Sequence, residues 1–378
     1  MKNFRLVALL MVVLMVGGMF TGCAPAAAPA APAAAPAPAA AEPAKAPEKL
    51  LVGVAMHTLS NPYQVQLKEG AEMFVKSLPE GSAELQVMVC EGSDEKEISN
   101  IKSLVARGGK NTILFIDPNQ APNAAVVADI CEEAGVFWTS CWSTAEGVYP
   151  GQYPHYAMFQ SPDDSKSGHD IAIELFKSFK TPNKGKILAI QGELANSAAI
   201  NRFKGLQKAL EENPGIELLD DQSGAWNPQK ALTITESWLS KYKDIDGIWV
   251  ANDGMALAVI QALKAKGLNG KVKVVGIDAI DDALTAIKDG DLVATVASNG
   301  WLQAGYGLAY AHAAYQGKID PKSMGPEKTM IHTSGKLLTS ENLAAYEDEF
   351  IKNKPVYDYN DLESIILRPM DLPADYKK

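Results

Sequence analysis

Short apolar blocks recur along the chain, each followed by a stretch whose apolar positions fall at helical spacing. Leu50 to Met56 reads as a strand, and Asn61-Pro62 opens a helix reaching about Leu78. Leu85 to Cys90 is the next strand, and Glu95 to Arg107 the next helix, ending in Gly108-Gly109. Thr112 to Ile116 is a strand with Asp117-Pro118 at its tip, Ala121 to Ala134 a helix, and Val136 to Ser140 a strand ending at Cys141-Trp142. After a Gly-, Pro- and Tyr-rich loop the alternation resumes from Asp163 and runs to about Gln316. Such a βαβ series gives parallel sheets with helices on both faces. Two sheets of similar size, joined near residue 155, are expected.

The stretch from Gly247 to Asp278 shows the pattern at its clearest. Ile248 to Ala251 is an apolar run suited to a two-sided parallel sheet, and it stops at Asn252-Asp253-Gly254. Met255, Ala258, Val259, Ala262 and Leu263 recur at helical spacing, Gly267 closes the helix, and Lys273 to Ile277 is a second strand ending at Asp278. In doubly wound sheets ligands bind beyond the carboxyl ends of the strands. Both polar tips therefore belong to the expected site.

The first 48 residues are of another kind. Lys2 and Arg5 precede an apolar run, Leu6 to Phe20, too short for a comfortable membrane span. Residues 1–22 read as an export signal, and Thr21-Gly22-Cys23 resembles a bacterial lipobox, although Phe20 stands where that pattern prefers Leu. The resemblance implies cleavage before Cys23 and acylation of its thiol; the other reading is an ordinary secretory signal with an incidental cysteine. Residues 23–48, nearly all Ala and Pro, read as an extended tether.

Composition narrows the function classes. The chain has 378 residues, 47% hydrophobic and 21% charged, enough for two cores. A net charge of −10 argues against nucleic-acid binding. Cys90, Cys131 and Cys141 leave at least one free thiol, and with no CxxC pair and scattered histidines neither a metal site nor a cofactor is expected.

Four stretches, AMHTLSNPYQVQLKEG (Ala55 to Gly70), GELANSAAINRFKG (Gly192 to Gly205), WVANDGMALA (Trp249 to Ala258) and Val274 to Ile280 with Leu292 to Ala297, together resemble the ribose-binding branch of bacterial periplasmic binding proteins. These are the substrate receptors of ABC sugar importers. The resemblance covers Lys49 to about Gly317. It implies two Rossmann-like doubly wound α/β lobes, three crossings between them and a ligand in the cleft. Residues 49–157 with 298–328 would form the N-terminal lobe, and residues 158–297 with 329–378 the C-terminal lobe. It further implies an ABC permease as partner and a monomeric receptor held at the outer face of the membrane by its lipid alone.

A neutral sugar calls for aromatic plates with Asn and Asp at their rim. Asn252 and Asp278 fall on family contact positions; a strand-end turn or helix cap is the rival role. Asn61, with capping as the stronger rival, Tyr63, and His57 at the first strand tip lie together. Trp226 matches a family aromatic that stacks on sugar, and Ser298 and Asn299 sit at the returning hinge as contact or turn. Asp253 reads as an N-cap, Arg202 as structural, and Trp301 as core or cleft. Where the ribose pattern has Asp-Arg and a further Arg, this chain has Cys141-Trp142 and Ile200. Trp142 then becomes a candidate contact, Asn196 and Glu193 candidate replacements, and ribose gives way to a hexose, polyol or cyclitol.

Two rival functions share these residues. A sensor or chemoreceptor partner would use the same fold without transport. A glycoside-acting enzyme would need a carboxyl pair such as Asp253 and Asp278, but the chain lacks GxGxxG, P-loop, GxSxG and HExxH motifs. A binding protein without catalysis is the expectation.

Overall fold

A computed structural model describes residues 49–333, 335–353 and 355–376. The expected signal, Cys23 and the tether lie outside them. In the first lobe β1 (Leu50–Met56), β2 (Ala83–Val89), β3 (Thr112–Ile116), β4 (Phe137–Cys141) and β5 (Tyr156–Ser161) alternate with α1 (Pro62–Ser77), α2 (Asp94–Gly108) and α3 (Asn123–Ala134). Within β1, Leu50, Val52, Val54 and Met56 pack into one core while Leu51 and Ala55 pack into another. Period-two alternation with both faces apolar is what helices on both sides of a sheet require.

The second lobe repeats the design. Here α4 (Asp164–Lys177), β6 (Gly185–Gln191), α5 (Ser197–Glu212), β7 (Ile216–Ser223), α6 (Pro228–Lys241), β8 (Gly247–Val250), α7 (Asp253–Ala265), β9 (Lys273–Val275), α8 (Asp281–Lys288) and β10 (Ala294–Ala297) follow in order. The chain then returns through α9 (Gly300–Tyr315), which packs on α1, β3, β4 and β5 of the first lobe. Three short strands complete the sheets: β11 (Met330–His332), β12 (Lys336–Thr339) and β13 (Arg368–Pro369).

The seven-stranded sheet runs β13-β11-β5-β4-β3-β1-β2 and the six-stranded sheet β12-β10-β9-β8-β6-β7. Only the β11–β13 and β10–β12 pairs are antiparallel. Strand order reverses beside β1 and β3 in one sheet and beside β6 and β8 in the other. The residues just past these strands therefore face a crevice.

Residues 329–378 do not all belong to the second lobe. Met330–His332 pairs with β5 in the first sheet before β12 joins the second. The chain afterwards crosses once more than the three hinge segments expected. Glu349 still lies beside Lys336 of β12, whereas Tyr357 accepts a 2.7 Å bond from the Trp301 indole and Tyr359 packs on Phe74 and Tyr306 of the first lobe. A two- or three-residue strand carries too little periodicity to be read from sequence. The buried β5, Tyr156–Ser161, is a further strand without a sequence assignment.

In each lobe a glycine brings two helices together. A Cβ at Gly70 of α1 would collide with the Trp301 carbonyl of α9, and one at Gly168 of α4 with the Arg202 carbonyl of α5. The second contact fixes the depth at which Arg202 enters the cleft.

Candidate functional site

Three helices begin at the cleft, and each begins with an asparagine. Asn61 Oδ1 accepts the Tyr63 N–H of α1 at 3.0 Å. Asn196 Oδ1 accepts the Ala198 and Ala199 N–H groups of α5 at 3.0 and 3.3 Å, and Asn252 Oδ1 accepts that of Met255 in α7 at 3.1 Å. Capping uses the oxygen and leaves the NH2 donor. Cap and ligand contact are thus compatible roles, since all three residues border one cavity.

That cavity lies between the lobes, beyond the carboxyl ends of the strands, where folds of this kind bind small molecules. The first lobe contributes His57, Thr58, Asn61, Tyr63, Gln64, Asp117 and Trp142. The second contributes Asn196, Ala198, Arg202, Trp226, Asn252 and Asp278. Its mouth is drawn shut by hydrogen bonds from Ala121 N–H to the Ala195 carbonyl (3.2 Å) and from Ser197 N–H to Ser143 Oγ (3.0 Å). The lobes are closed.

The aromatic walls are held firmly. The rings of Tyr63 and Trp142 meet edge to face with centroids 5.4 Å apart, and Trp142 Nε1 donates to the Tyr63 hydroxyl at 2.6 Å. That hydroxyl donates in turn to Gln303 Oε1. Trp226 lies against Gly192, where any Cβ would strike the indole. Trp142, Trp226 and Asp278 have φ of 61°, 57° and 126°, a region costly for side-chain-bearing residues. Backbone strain concentrated in three residues of one cavity marks a functional site.

Arg202 is the electrostatic centre. Its Nε donates to Asp164 Oδ1 at 2.9 Å, one Nη to the Ala251 carbonyl at 2.7 Å, and the other Nη lies 3.7 Å from Asp278 Oδ1. Burial pushes the Asp278 carboxyl well above the usual range, with Arg202 opposing it only in part. On the opposite wall, Gln64 Nε2 donates to Asp117 Oδ2 at 2.7 Å, and His57 Nε2 stands 3.6 Å from the same oxygen. Burial alone would lower the His57 pKa, but the Asp117 carboxylate outweighs it and the net shift is upward.

Of the sequence candidates, His57, Asn61, Tyr63, Trp142, Asn196, Trp226, Asn252 and Asp278 line the cavity. Ser298 and Asn299 do not. Ser298 is sealed in the hinge, and Asn299 adopts φ 50° and accepts the Tyr346 hydroxyl at 2.8 Å. Asp253 is not the cap of α7. It is that helix's first residue, wholly buried, accepting from Thr295 Oγ1 at 2.9 Å and from Ile280 N–H at 3.2 Å. So enclosed, it cannot pair with Asp278 as a catalytic acid. Ile200 is 41% exposed and does not line the cavity, which removes it from the argument about ligand polarity. Glu193 is also off the lining, and Trp301 is occupied with Tyr357.

Arg202, Asp117, Gln64 and Thr58 line the cavity without having been singled out as contacts. Arg202 carried a signal, a family arginine position, that a structural role also explained. Asp117 carried only its place at a strand tip.

A model of the periplasmic binding protein domain matches residues 52–319. The chain is 30% identical over 283 residues to the xylitol-binding protein of Mycolicibacterium smegmatis, covering 74% of this chain and 76% of that protein. Among solved structures it is similar to a twin-arginine translocation pathway signal protein from Burkholderia phytofirmans, with TM-score 0.82, 33% identity and coverage of 86% of this chain and 100% of that one. It is also similar to the Caulobacter myo-inositol binding protein bound to myo-inositol, with TM-score 0.69, 27% identity and coverage of 79% and 96%. With a closed two-lobed fold, a cavity at both strand-order reversals and a family match over most of its length, the chain belongs to the periplasmic binding protein family of sugar ABC importers that its sequence resembles.

Proposed function

We propose that this protein is an extracytoplasmic receptor that closes about its hinge on one monosaccharide-sized polyhydroxylated ligand, a sugar, polyol or cyclitol, and delivers it to an ABC permease. The observation that carries this reading is the interlobe cavity, where two indoles and a phenol stand beside three amide donors and two carboxylate acceptors. Flat C–H faces and hydroxyls that both donate and accept suit such a lining. Hinge closure is the motion expected of two lobes with a ligand between them. Relatives named for xylitol and myo-inositol accord with a polyol or cyclitol, while others of similar identity are named for ribose import. What favours a polyol or cyclitol over ribose is Trp142 standing where the ribose pattern has an arginine. The role is binding without catalysis, and acylation of Cys23 would hold the receptor at the membrane.

Thermal shift against pentoses, hexoses, polyols and cyclitols, followed by calorimetry on the hits, tests the reading. A ligand bound only by the folded state raises the melting temperature by mass action. A hit that is lost in Trp226→Ala and Asn252→Ala is expected; silence across the panel would sink the proposal. Labelling with an alkynyl fatty acid, lost in Cys23→Ala, tests the anchor separately.

A further inference from the structure

We infer that the ligand carries one protonated amino group among its hydroxyls, as in an amino sugar, an amino polyol or an aminocyclitol. The inference rests on the preceding reading of the cavity as a polyol-type site and deepens it. The cavity's charges do not balance. Asp117 and Asp278 line it from opposite lobes, 3% and 5% exposed. Among the described residues that line it the only guanidinium is that of Arg202, already committed to Asp164 at 2.9 Å and the Ala251 carbonyl at 2.7 Å.

Among the described residues the Asp278 carboxylate accepts no hydrogen bond, and the Arg202 Nη stands 3.7 Å from it. Asp117 is satisfied at one oxygen by Gln64, while its Oδ1 is buried without a partner. His57 offers a second cation, yet its Nε2 lies 3.6 Å from Asp117, beyond hydrogen-bond reach. With every carboxyl ionised and His57 protonated, Asp117, Asp164 and Asp278 would outnumber His57 and Arg202 by one charge, which only a cation brought by the ligand would offset.

Closing the lobes on a neutral hydroxyl leaves the Asp278 carboxyl protonated, as its burial favours, and so without a charge-assisted bond. An ammonium supplies donor and charge together, and charge-assisted bonds are the stronger class. Buried Asp253 nearby makes an uncompensated charge on Asp278 costlier still.

The test compares matched pairs on the purified full-length protein by calorimetry at neutral pH. Suitable pairs are D-glucosamine with D-glucose, D-galactosamine with D-galactose, and an amino-deoxy-inositol with its parent inositol. In at least one pair the amine is expected to bind about tenfold tighter or more, one such step corresponding to a single added charge-assisted contact. Asp278→Asn is expected to erase or reverse that gap, with its melting curve recorded to establish that it folds. The wild-type comparison decides the matter even if the variant does not fold. A parent that binds as tightly as its amine, or tighter, overturns the amine inference and leaves the polyol reading intact. Silence from every pair, with silence from the wider panel, overturns both.

Discussion

The indole of Trp142, on the first lobe, lies 4.6 Å from the guanidinium carbon of Arg202 on the second, and Trp226 faces the same group at 5.6 Å. Arg202 is fixed by Asp164 and Ala251, and Trp142 by the Tyr63 hydroxyl. The contact joins two rigid mounts across the cleft, so it acts as a latch of the closed state.

Trp142→Ala tests the latch. It removes a cation–π contact of about 0.5–2 kcal/mol together with one wall of the cavity. Ligand affinity is expected to fall by about tenfold or more, read by calorimetry. Small-angle scattering should show a more open ligand-free ensemble. Unchanged affinity and dimensions would mean that the indole contributes nothing to closure.

Arg202 also holds the second lobe together. Arg202→Met strands the buried Asp164 carboxylate, and breaking a buried ion pair from one side costs about 3–5 kcal/mol. Urea unfolding should show that loss, and Arg202→Lys should recover little of it because an ammonium cannot meet Asp164 and Ala251 in the same fork geometry. The double variant Asp164→Leu with Arg202→Met should be more stable than Arg202→Met alone. If it is not, the pair does not carry the stability assigned to it.

These two residues also mark how far the sequence could be read. Apolar blocks ending in polar tips revealed both sheets and the crevice. Asn61, Asn252 and Asp278 were legible because each ends a strand pattern or starts a helix pattern at that crevice. Arg202 and Ile200 were harder. Residues two apart on a helix do not share a face, and only packing against α4 decides that Arg202 turns inward while Ile200 remains 41% exposed. Ser298 and Asn299 failed for a related reason, since the turn after β10 buries one and ties the other to Tyr346. β11 and β13 were invisible because three and two residues hold no period.

Asn61 allows capping to be separated from ligand contact. Asn61→Ser keeps a side-chain oxygen for the Tyr63 N–H but has no amide NH2, whereas Asn61→Ala loses both. Asn and Ser cap about equally well, and removing such a cap costs about 1 kcal/mol. The Ser variant is therefore expected to unfold within a few tenths of a kcal/mol of the parent, yet to bind more weakly, while the Ala variant loses on both counts. Full affinity in Asn61→Ser would reduce Asn61 to a cap.

Behind His57 lies a buried acid whose consequence is a pH dependence. Glu97, 1% exposed, accepts from Asn119 N–H at 3.1 Å and from Asn123 Nδ2 at 2.5 Å. Burial nevertheless pushes its carboxyl up to about 7, and burial pushes Asp253 up to about 7 as well. The His57 pKa is raised too, Asp117 overcoming the effect of burial. All three groups hold protons more tightly folded than unfolded. A folded state that binds more protons loses stability as pH rises. For the two carboxylates the loss runs from their unfolded values near 4 up to about 7, and for His57 it continues above about 6.5. Asp220 and Asp291, each paired with a lysine, are lowered and act oppositely, but only as pH falls below about 4. Stability should therefore be greatest near pH 4 and fall by a few kcal/mol toward pH 8. Glu97→Gln keeps an acceptor but cannot titrate, so its melting temperature should decline less over that interval. A parent protein that grows more stable from pH 5 to 8 would show that these buried groups ionise in the fold as freely as in the unfolded chain.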